Sequence, residues 1–115
     1  MASKRMFNSR ITESDAFISL PLGAQVLYFH LCMHADDDGF VDNLKTMIAI
    51  TNTSIEDFEA LCDKGYMIKL DDNINVITHW KVHNYMAKDR YRPSMYVKYK
   101  EMLELDAGKA YYKKS

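Results

Sequence analysis

Four histidines and a run of aspartates are the residues of this chain whose types could bind a metal ion or transfer a proton. His30 and His34 lie four residues apart, and so do His79 and His83. The first pair lacks the glutamate of a zinc-protease helix, and an extended strand would separate the second pair by about 13 Å. No spacing supplies a third ligand, so we interpret these histidines as polar residues at the edge of the core.

The aspartates form the run Asp36-Asp37-Asp38-Gly39, which resembles the start of a calcium-binding loop. The residues that follow do not continue the ligand pattern, and no glutamate stands at the twelfth position. A turn is therefore the better interpretation. The chain also has no glycine-rich phosphate loop, no nucleophile elbow and no cysteine beside an orienting base. We therefore expect neither catalytic activity nor a cofactor.

A stretch of cations, tyrosines and amides between Ile74 and Pro93 offers another chemistry, the binding of nucleic acid. Lysine and arginine neutralise phosphates, tyrosine stacks on bases or packs on sugars, and histidine and asparagine supply hydrogen bonds. The predicted DNA-contacting residues are Lys81, His83, Asn84, Tyr85, Lys88, Arg90, Tyr91 and Arg92. Additional DNA contacts could come from Lys4, Arg5 and Arg10. The alternative is that the tyrosines pack on the domain and that the cations are only solvated.

The charge of the chain is divided along its length, although the formal net charge is only −1. Residues 1–34 carry a net charge of +1, and residues 35–75 carry −7 from three basic and ten acidic side chains. Residues 76–115 carry +5 from nine basic and four acidic side chains. A polyanion should therefore meet the C-terminal third of the chain.

Length and composition favour one domain in the cytoplasm. The chain has 115 residues, of which 48% are apolar, enough for a single core. Cys32 and Cys62 lie within apolar helical patterns, as reduced core cysteines do. No apolar run approaches the roughly 20 residues of a membrane span, and the N-terminus has no apolar segment of a signal peptide.

The hydrophobic pattern predicts five helices and a hairpin around the basic stretch. A brief helix begins near Thr12 and stops at Pro21, and a central helix covers residues 22–35. Counted from the central helix, a second helix follows a short strand at residues 40–41 and includes Leu44, Met47 and Ile48. A third helix begins at a capping box, either Thr53 with Glu56 or Ser54 with Asp57, and stops at Gly65.

The hairpin pairs residues 66–70 with residues 74–80, where every second residue shares one face. A last helix is predicted from Ser94 to about Leu105. Residues 1–105 would then form the domain, and residues 106–115 a frayed tail.

These elements are those of an α+β winged helix, a helix-turn-helix core with a β-hairpin wing, extended by an N-terminal segment and a C-terminal helix. In that fold the third helix normally enters the major groove. Its predicted exposed positions here carry four carboxylates and one lysine. The phosphates of DNA would repel the carboxylates. We therefore expect this helix to be a solvated acidic face or a protein-binding surface rather than a base reader. Its exposed residues are Glu56, Asp57, Glu59, Ala60, Asp63 and Lys64.

The chain resembles the N-terminal domain of phage replisome organisers, the replication-initiation proteins of phages of Gram-positive bacteria. The resemblance covers about residues 5–105. It rests on the pieces SDAF at residues 14–17, LYFHL at 27–31, ADDDGFV at 35–41, HW at 79–80, HNY at 83–85 and KDRY at 88–91. Such proteins are similar to the primosomal DnaD group, whose N-terminal winged helix commonly mediates oligomerisation, while a C-terminal part contacts DNA and helps recruit a helicase loader.

The resemblance implies a DNA-binding domain of a phage replication initiator, in the host cytoplasm, with origin DNA and a helicase loader or other primosome protein as partners. The alternative is an oligomerisation or protein-interaction module of the primosome without direct DNA contact. In that alternative Met6, Phe7 and Ile11 would lie on a partner, which could be a second copy of the chain. A third hypothesis, mimicry of DNA by the acidic face, is opposed by the adjoining basic third.

Overall fold

Seven helices and five strands make up the part of the chain that the computed structural model describes, residues 5–84 and 88–114. Together they form a compact α+β fold with a radius of gyration of 13.3 Å. The elements, in chain order, are α1 Ser9–Thr12, α2 Asp15–Ile18, α3 Leu22–His34, β1 Phe40–Val41, α4 Leu44–Thr51, α5 Ile55–Asp63, β2 Met67–Lys69, β3 Asn75–Ile77, α6 Trp80–His83, α7 Val97–Lys100, β4 Leu103–Leu105 and β5 Tyr111–Lys113. None of the described helices combines the length and apolarity that a membrane crossing requires.

Local hydrogen bonds explain where the helices begin and end. Ser54 caps α5, its hydroxyl accepts from the backbone N–H of Asp57, and the Asp57 carboxylate accepts from the N–H of Ser54. This is one of the two predicted capping boxes. Gly65 ends the helix with φ of +83°, as predicted. The predicted start of the N-terminal helix near Thr12 was wrong, because Ser14 rather than Thr12 caps α2.

The central helix α3 is the element on which the core is built. It packs against α4 and α5, and its buried side chains include Leu27, Tyr28 and Leu31, all 0% exposed. The rings of Phe17 and Tyr66 contact Tyr28 edge-on, with centroids 5.1 and 6.0 Å away. Burial of these large apolar surfaces is the main stabilising contribution.

A three-stranded antiparallel sheet, in the order β1-β3-β2, covers one side of the helices. The strands β2 and β3 pair as predicted for the hairpin, with Met67 opposite Ile77. The strand β1 pairs with the other edge of β3, with Phe40 opposite Val76, a pairing that was not predicted. The strand predicted to reach Trp80 instead ends at Ile77, and residues 80–83 form the helical turn α6. The turn buries Trp80 beneath the aspartate run, where the indole Nε1 donates to the carbonyl of Asp37 at 2.9 Å.

The C-terminal part of the prediction was wrong. In place of a helix over residues 94–105 there is one turn, α7, followed by a β-hairpin of β4 and β5. The residues expected to fray supply the second strand of that hairpin. The hairpin buries both Leu103 and Tyr111, at 6% exposure each, whereas a helix that ended at Leu105 would not include Tyr111. The sequence alone does not report the free energy gained by burying these two side chains in the folded protein, so this gain could not be weighed against helix propensity.

Gly39 occupies a position where only glycine is tolerated for two reasons. Its φ is +90°, and an added Cβ would lie 2.6 Å from Cγ of Trp80. Gly65 has a similar φ of +83° but open space around it. Substitution of the two glycines therefore distinguishes the cost of backbone strain alone, at Gly65, from the cost of strain together with steric overlap, at Gly39.

We predict that Gly39→Ala destabilises the fold by about 3 kcal/mol or more, since overpacking adds to the left-handed strain. Gly65→Ala should cost about 1 kcal/mol from strain alone. Urea unfolding followed by tryptophan fluorescence measures both. Equal losses for the two variants would show that Trp80 moves aside without cost.

Candidate nucleic-acid interface

The aspartate run is a turn, as predicted, but two of its side chains point into the protein. The Asp36 carboxylate accepts from the backbone N–H groups of Asp38 and Phe40 at 2.9 and 3.0 Å and so fixes the turn. Asp37 and Asp38 are only 4% and 0% exposed. Buried carboxylates must be paired with donors or cations, and the partners come from distant segments.

Asp38 is the centre of this network. Its carboxylate accepts from the hydroxyl of Tyr91 at 2.7 Å and from the backbone N–H of Ser94 at 2.8 Å. The ammonium groups of Lys100 and Lys81 lie 3.3 and 3.6 Å away. The backbone carbonyl of Asp38 accepts from the hydroxyl of Tyr111 at 3.0 Å. One aspartate thus connects α6, α7, the segment before α7 and the C-terminal hairpin.

Asp37 connects the N-terminal segment to the same place. Its carboxylate lies 3.5 Å from the guanidinium of Arg5, whose side chain is 1% exposed, and accepts from the backbone N–H of Arg92 at 3.0 Å. The guanidinium also donates to the carbonyl of Ala35 and lies 5.0 Å from the ring centroid of Trp80. Arg5, predicted as an additional DNA contact, is therefore enclosed by the protein.

These contacts determine the charge of Asp38. Burial acts to raise the pKa of its carboxyl, but the hydrogen bonds from Tyr91 and Ser94 and the charges of Lys100 and Lys81 outweigh it, so that the pKa falls below its usual value. Burial acts to lower the pKa of Lys100, which Tyr91 and Asp38 nevertheless raise above the ordinary lysine value. The Asp38 carboxylate and the Lys100 ammonium group are therefore charged at neutral pH.

His83 and Asn84, predicted to contact DNA, hold the N-terminal segment. Nδ1 of His83 accepts from the backbone N–H of Asn8 at 2.8 Å, and Nε2 lies 2.7 Å from the hydroxyl of Tyr28. The amide oxygen of Asn84 accepts from the N–H of Met6 at 2.9 Å. His83 is 5% exposed, and burial lowers its pKa to about 4. The ring is therefore a neutral structural group.

The remaining predicted site residues are placed differently. Tyr85 and Lys4 lie outside the described residues. Tyr91 is half-buried, and the Lys81 and Lys100 ammonium groups lie 5.5 and 5.4 Å from its ring centroid, which leaves the ring poorly placed to stack on a base. Four of the predicted site residues have exposed cationic side chains, those of Arg10, Lys88, Arg90 and Arg92.

A groove of about 520 Å³ lies beside the Asp38 network and joins part of the predicted site to a segment that the prediction omitted. Its lining residues are Asp37, Trp80, Lys81, Asn84, Lys88, Tyr91, Leu105 and Lys109. Three lysines from α6, the segment after it and the C-terminal hairpin thus converge on one concavity. Their charges meet there only through tertiary folding, because Lys81 and Lys109 are far apart in the sequence.

The metal hypothesis gains no support from the geometry. No group of three or more His, Cys, Asp or Glu side chains in the described ranges is arranged to hold a metal ion. His30 and His34 are exposed on α3, and His79 and His83 lie at the two ends of α6.

Comparison of the chain with models of protein families, with curated proteins and with solved structures gave no match. The resemblance to phage replisome organisers therefore stays a prediction.

We predict that Asp38→Asn lowers the free energy of unfolding by about 2–4 kcal/mol, since several charge-assisted hydrogen bonds weaken at a buried position. The difference from wild type should begin to shrink as the pH falls below the ordinary aspartate pKa of about 4 and disappear as the pH passes the lowered pKa of the folded Asp38 carboxyl. Chemical unfolding at pH 7 and pH 3 measures both effects. Asp72→Asn, at an exposed turn, is the matched control and should change little.

Proposed function

We propose that this domain binds DNA as part of a phage replication initiator and is not an enzyme. The observation that carries the proposal is the convergence of Lys81, Lys88 and Lys109 on one groove. Clustered ammonium groups attract phosphates and release counterions when the phosphates bind. The exposed side chains of Arg90 and Arg92 extend the same basic segment of the chain.

We propose that the fold is a winged helix. Support comes from the order of elements from α3 to β3, a helix and a short strand, then two helices and a hairpin. The sheet order β1-β3-β2, with the strand after the first helix pairing to the last strand, supports the same assignment. In this assignment β2 and β3 form the wing, and α5 would be the helix that usually enters the major groove.

The acidic face of α5 supports a binding mode other than insertion of that helix. Glu56, Glu59 and Asp63 are exposed, whereas Asp57 serves the helix cap. Three free carboxylates on one short helix would be repelled by two phosphate strands. We infer that DNA lies against the basic groove and that α5 faces away from it or toward a protein.

We propose origin DNA as the nucleic acid and a helicase loader or another primosome protein as the protein partner, in the cytoplasm of a bacterial host. This part of the proposal rests on the resemblance of residues 5–105 to phage replisome organisers. Four of the six segments on which it rests, residues 35–41, 79–80, 83–85 and 88–91, include Asp38 and Tyr91 of the Asp38 network and residues that line the groove.

We predict that the double variant Lys88→Ala with Arg90→Ala binds DNA more weakly and with a flatter salt dependence. Each lost phosphate contact reduces the slope of log K against log salt by about 0.9 for duplex DNA. Fluorescence anisotropy with labelled duplex and single-stranded oligonucleotides, at several salt concentrations, measures affinity and slope for both nucleic acids.

The matched control is Lys45→Ala with Lys64→Ala, which removes two exposed lysines from the acidic middle of the chain. Both double variants change the net charge equally. A control that loses as much affinity as the groove variant would indicate a general charge effect and contradict a localised interface.

A second candidate function, oligomerisation or protein interaction within the primosome, is favoured by the exposed side of α3. The helix carries no Asp, Glu, Lys or Arg, and its Leu22, Val26 and Met33 are 79%, 43% and 43% exposed. Spacings of four and seven residues put these three on one stripe. The N-terminal residues considered for this role are less suitable, because Phe7 and Ile11 pack on the domain's own core.

We predict that, if α3 mediates association, the double variant Leu22→Glu with Val26→Glu is monomeric at concentrations where wild type is not. Introduced carboxylates would face one another or an apolar partner surface. Sedimentation velocity over a concentration series measures the mass. Ile50→Glu, at a 65% exposed position of α4, is the control. A wild type that stays at 13.4 kDa throughout would contradict self-association.

A further inference from the structure

Lys109 has an unusual backbone conformation at the tip of the C-terminal hairpin. Its φ is +68°, in the left-handed region where glycine or asparagine is usual. The turn is fixed around it, because the Asp106 carboxylate accepts from the N–H groups of Gly108 and Ala110 at 2.8 and 3.0 Å. Gly108, the neighbouring residue, does not have a positive φ. A glycine at position 109 would relieve the strain, but the glycine of this turn stands at position 108.

Lys109 lines the groove together with Lys81 and Lys88, and none of the ion pairs within residues 5–84 and 88–114 includes it. Strained residues persist where the surrounding structure determines them and cluster at binding sites. An exposed lysine that lines a groove with two other lysines gains nothing from its like-charged neighbours. An anion in the groove would give the three ammonium groups a common partner.

The hairpin that carries Lys109 is rigidly attached. The side chain of Leu103 is buried at 6% exposure, and the backbone N–H of Tyr111 donates to the carbonyl of Thr78 at 2.8 Å. The hydroxyl of Tyr111 donates to the carbonyl of Asp38 at 3.0 Å. The hairpin that carries Lys109 is therefore held through Thr78 and Asp38, and Asp38 also lies near the ammonium group of Lys81.

We propose that the β4–β5 hairpin is a second nucleic-acid contact, separate from the β2–β3 hairpin, and that Lys109 binds a backbone phosphate from the side of the groove opposite the basic segment. The proposal rests on the DNA-binding function proposed above. It names the ligand as the phosphodiester backbone rather than the bases. This agrees with a groove whose tyrosine, Tyr91, already has two ammonium groups against its ring.

The test is Lys109→Gly, because glycine relieves the backbone strain and removes the cation together. We expect Tm to stay the same or rise, while the affinity for DNA falls about 3–10-fold and the salt slope decreases by about 0.9. The loss should be similar for oligonucleotides of unrelated sequence, as expected for a phosphate contact. A merely structural role of Lys109 would not lower affinity in a variant that is as stable as wild type.

Two further variants complete the experiment. Lys113→Ala removes an exposed charge from the same hairpin outside the groove and should cost less affinity than Lys109→Gly. Lys109→Arg keeps the cation and should restore most of the affinity. If wild type binds DNA but Lys109→Gly binds DNA as tightly as Lys113→Ala does, the hairpin proposal is overturned and the DNA-binding function stands. If wild type shows no salt-sensitive binding, the proposed function itself fails and the hairpin proposal with it.

Discussion

The buried carboxylate of Asp38 is the constraint on which the arrangement of this protein depends. A charge with no exposure to water needs several donors, and the turn at residues 36–39 has too few of its own. The missing partners come from Tyr91, Ser94, Lys100 and Lys81, so the C-terminal third must fold back over the turn. The acidic middle and basic end of the chain are joined by this pairing, which accounts for part of the charge segregation without invoking a ligand.

The same pairing divides the cations into two groups. Arg5 and Lys100 approach carboxylates of the turn, and Lys81 does so while also lining the groove. Lys88 and Lys109 line the groove without a carboxylate partner in the described ranges. Ion pairing within the protein thus shapes the proposed interface, and the excess cations would give that interface its field. Substitutions in the first group should act on stability and those in the second on the proposed binding, which makes the two roles separable by experiment.

The interfaces proposed for DNA and for protein association are different surfaces with different chemical character, so the two partners would not compete for one site. The groove is lined by three lysines, whereas the exposed stripe of α3 is apolar and includes no Asp, Glu, Lys or Arg. Paired domains with separate DNA-binding faces would double the number of phosphate contacts and raise the avidity for a long DNA. An initiator that assembles other proteins at an origin would need both kinds of surface.

The sequence alone determined the elements that depend on local signals. The central helix, the turn of three aspartates, the Ser54 capping box, the Gly65 stop and the first hairpin were all readable, because capping and periodicity act over a few residues. Part of the candidate site was readable too, since Lys81, Asn84, Lys88 and Tyr91 line the groove. The tertiary structure decided the rest. Whether an aspartate is buried, whether residues 103–113 form a hairpin, and whether Lys109 meets Lys81 depend on contacts between distant residues. Such contacts are settled by the burial of Leu103, Tyr111 and Asp38 in the folded protein, which no local pattern reports.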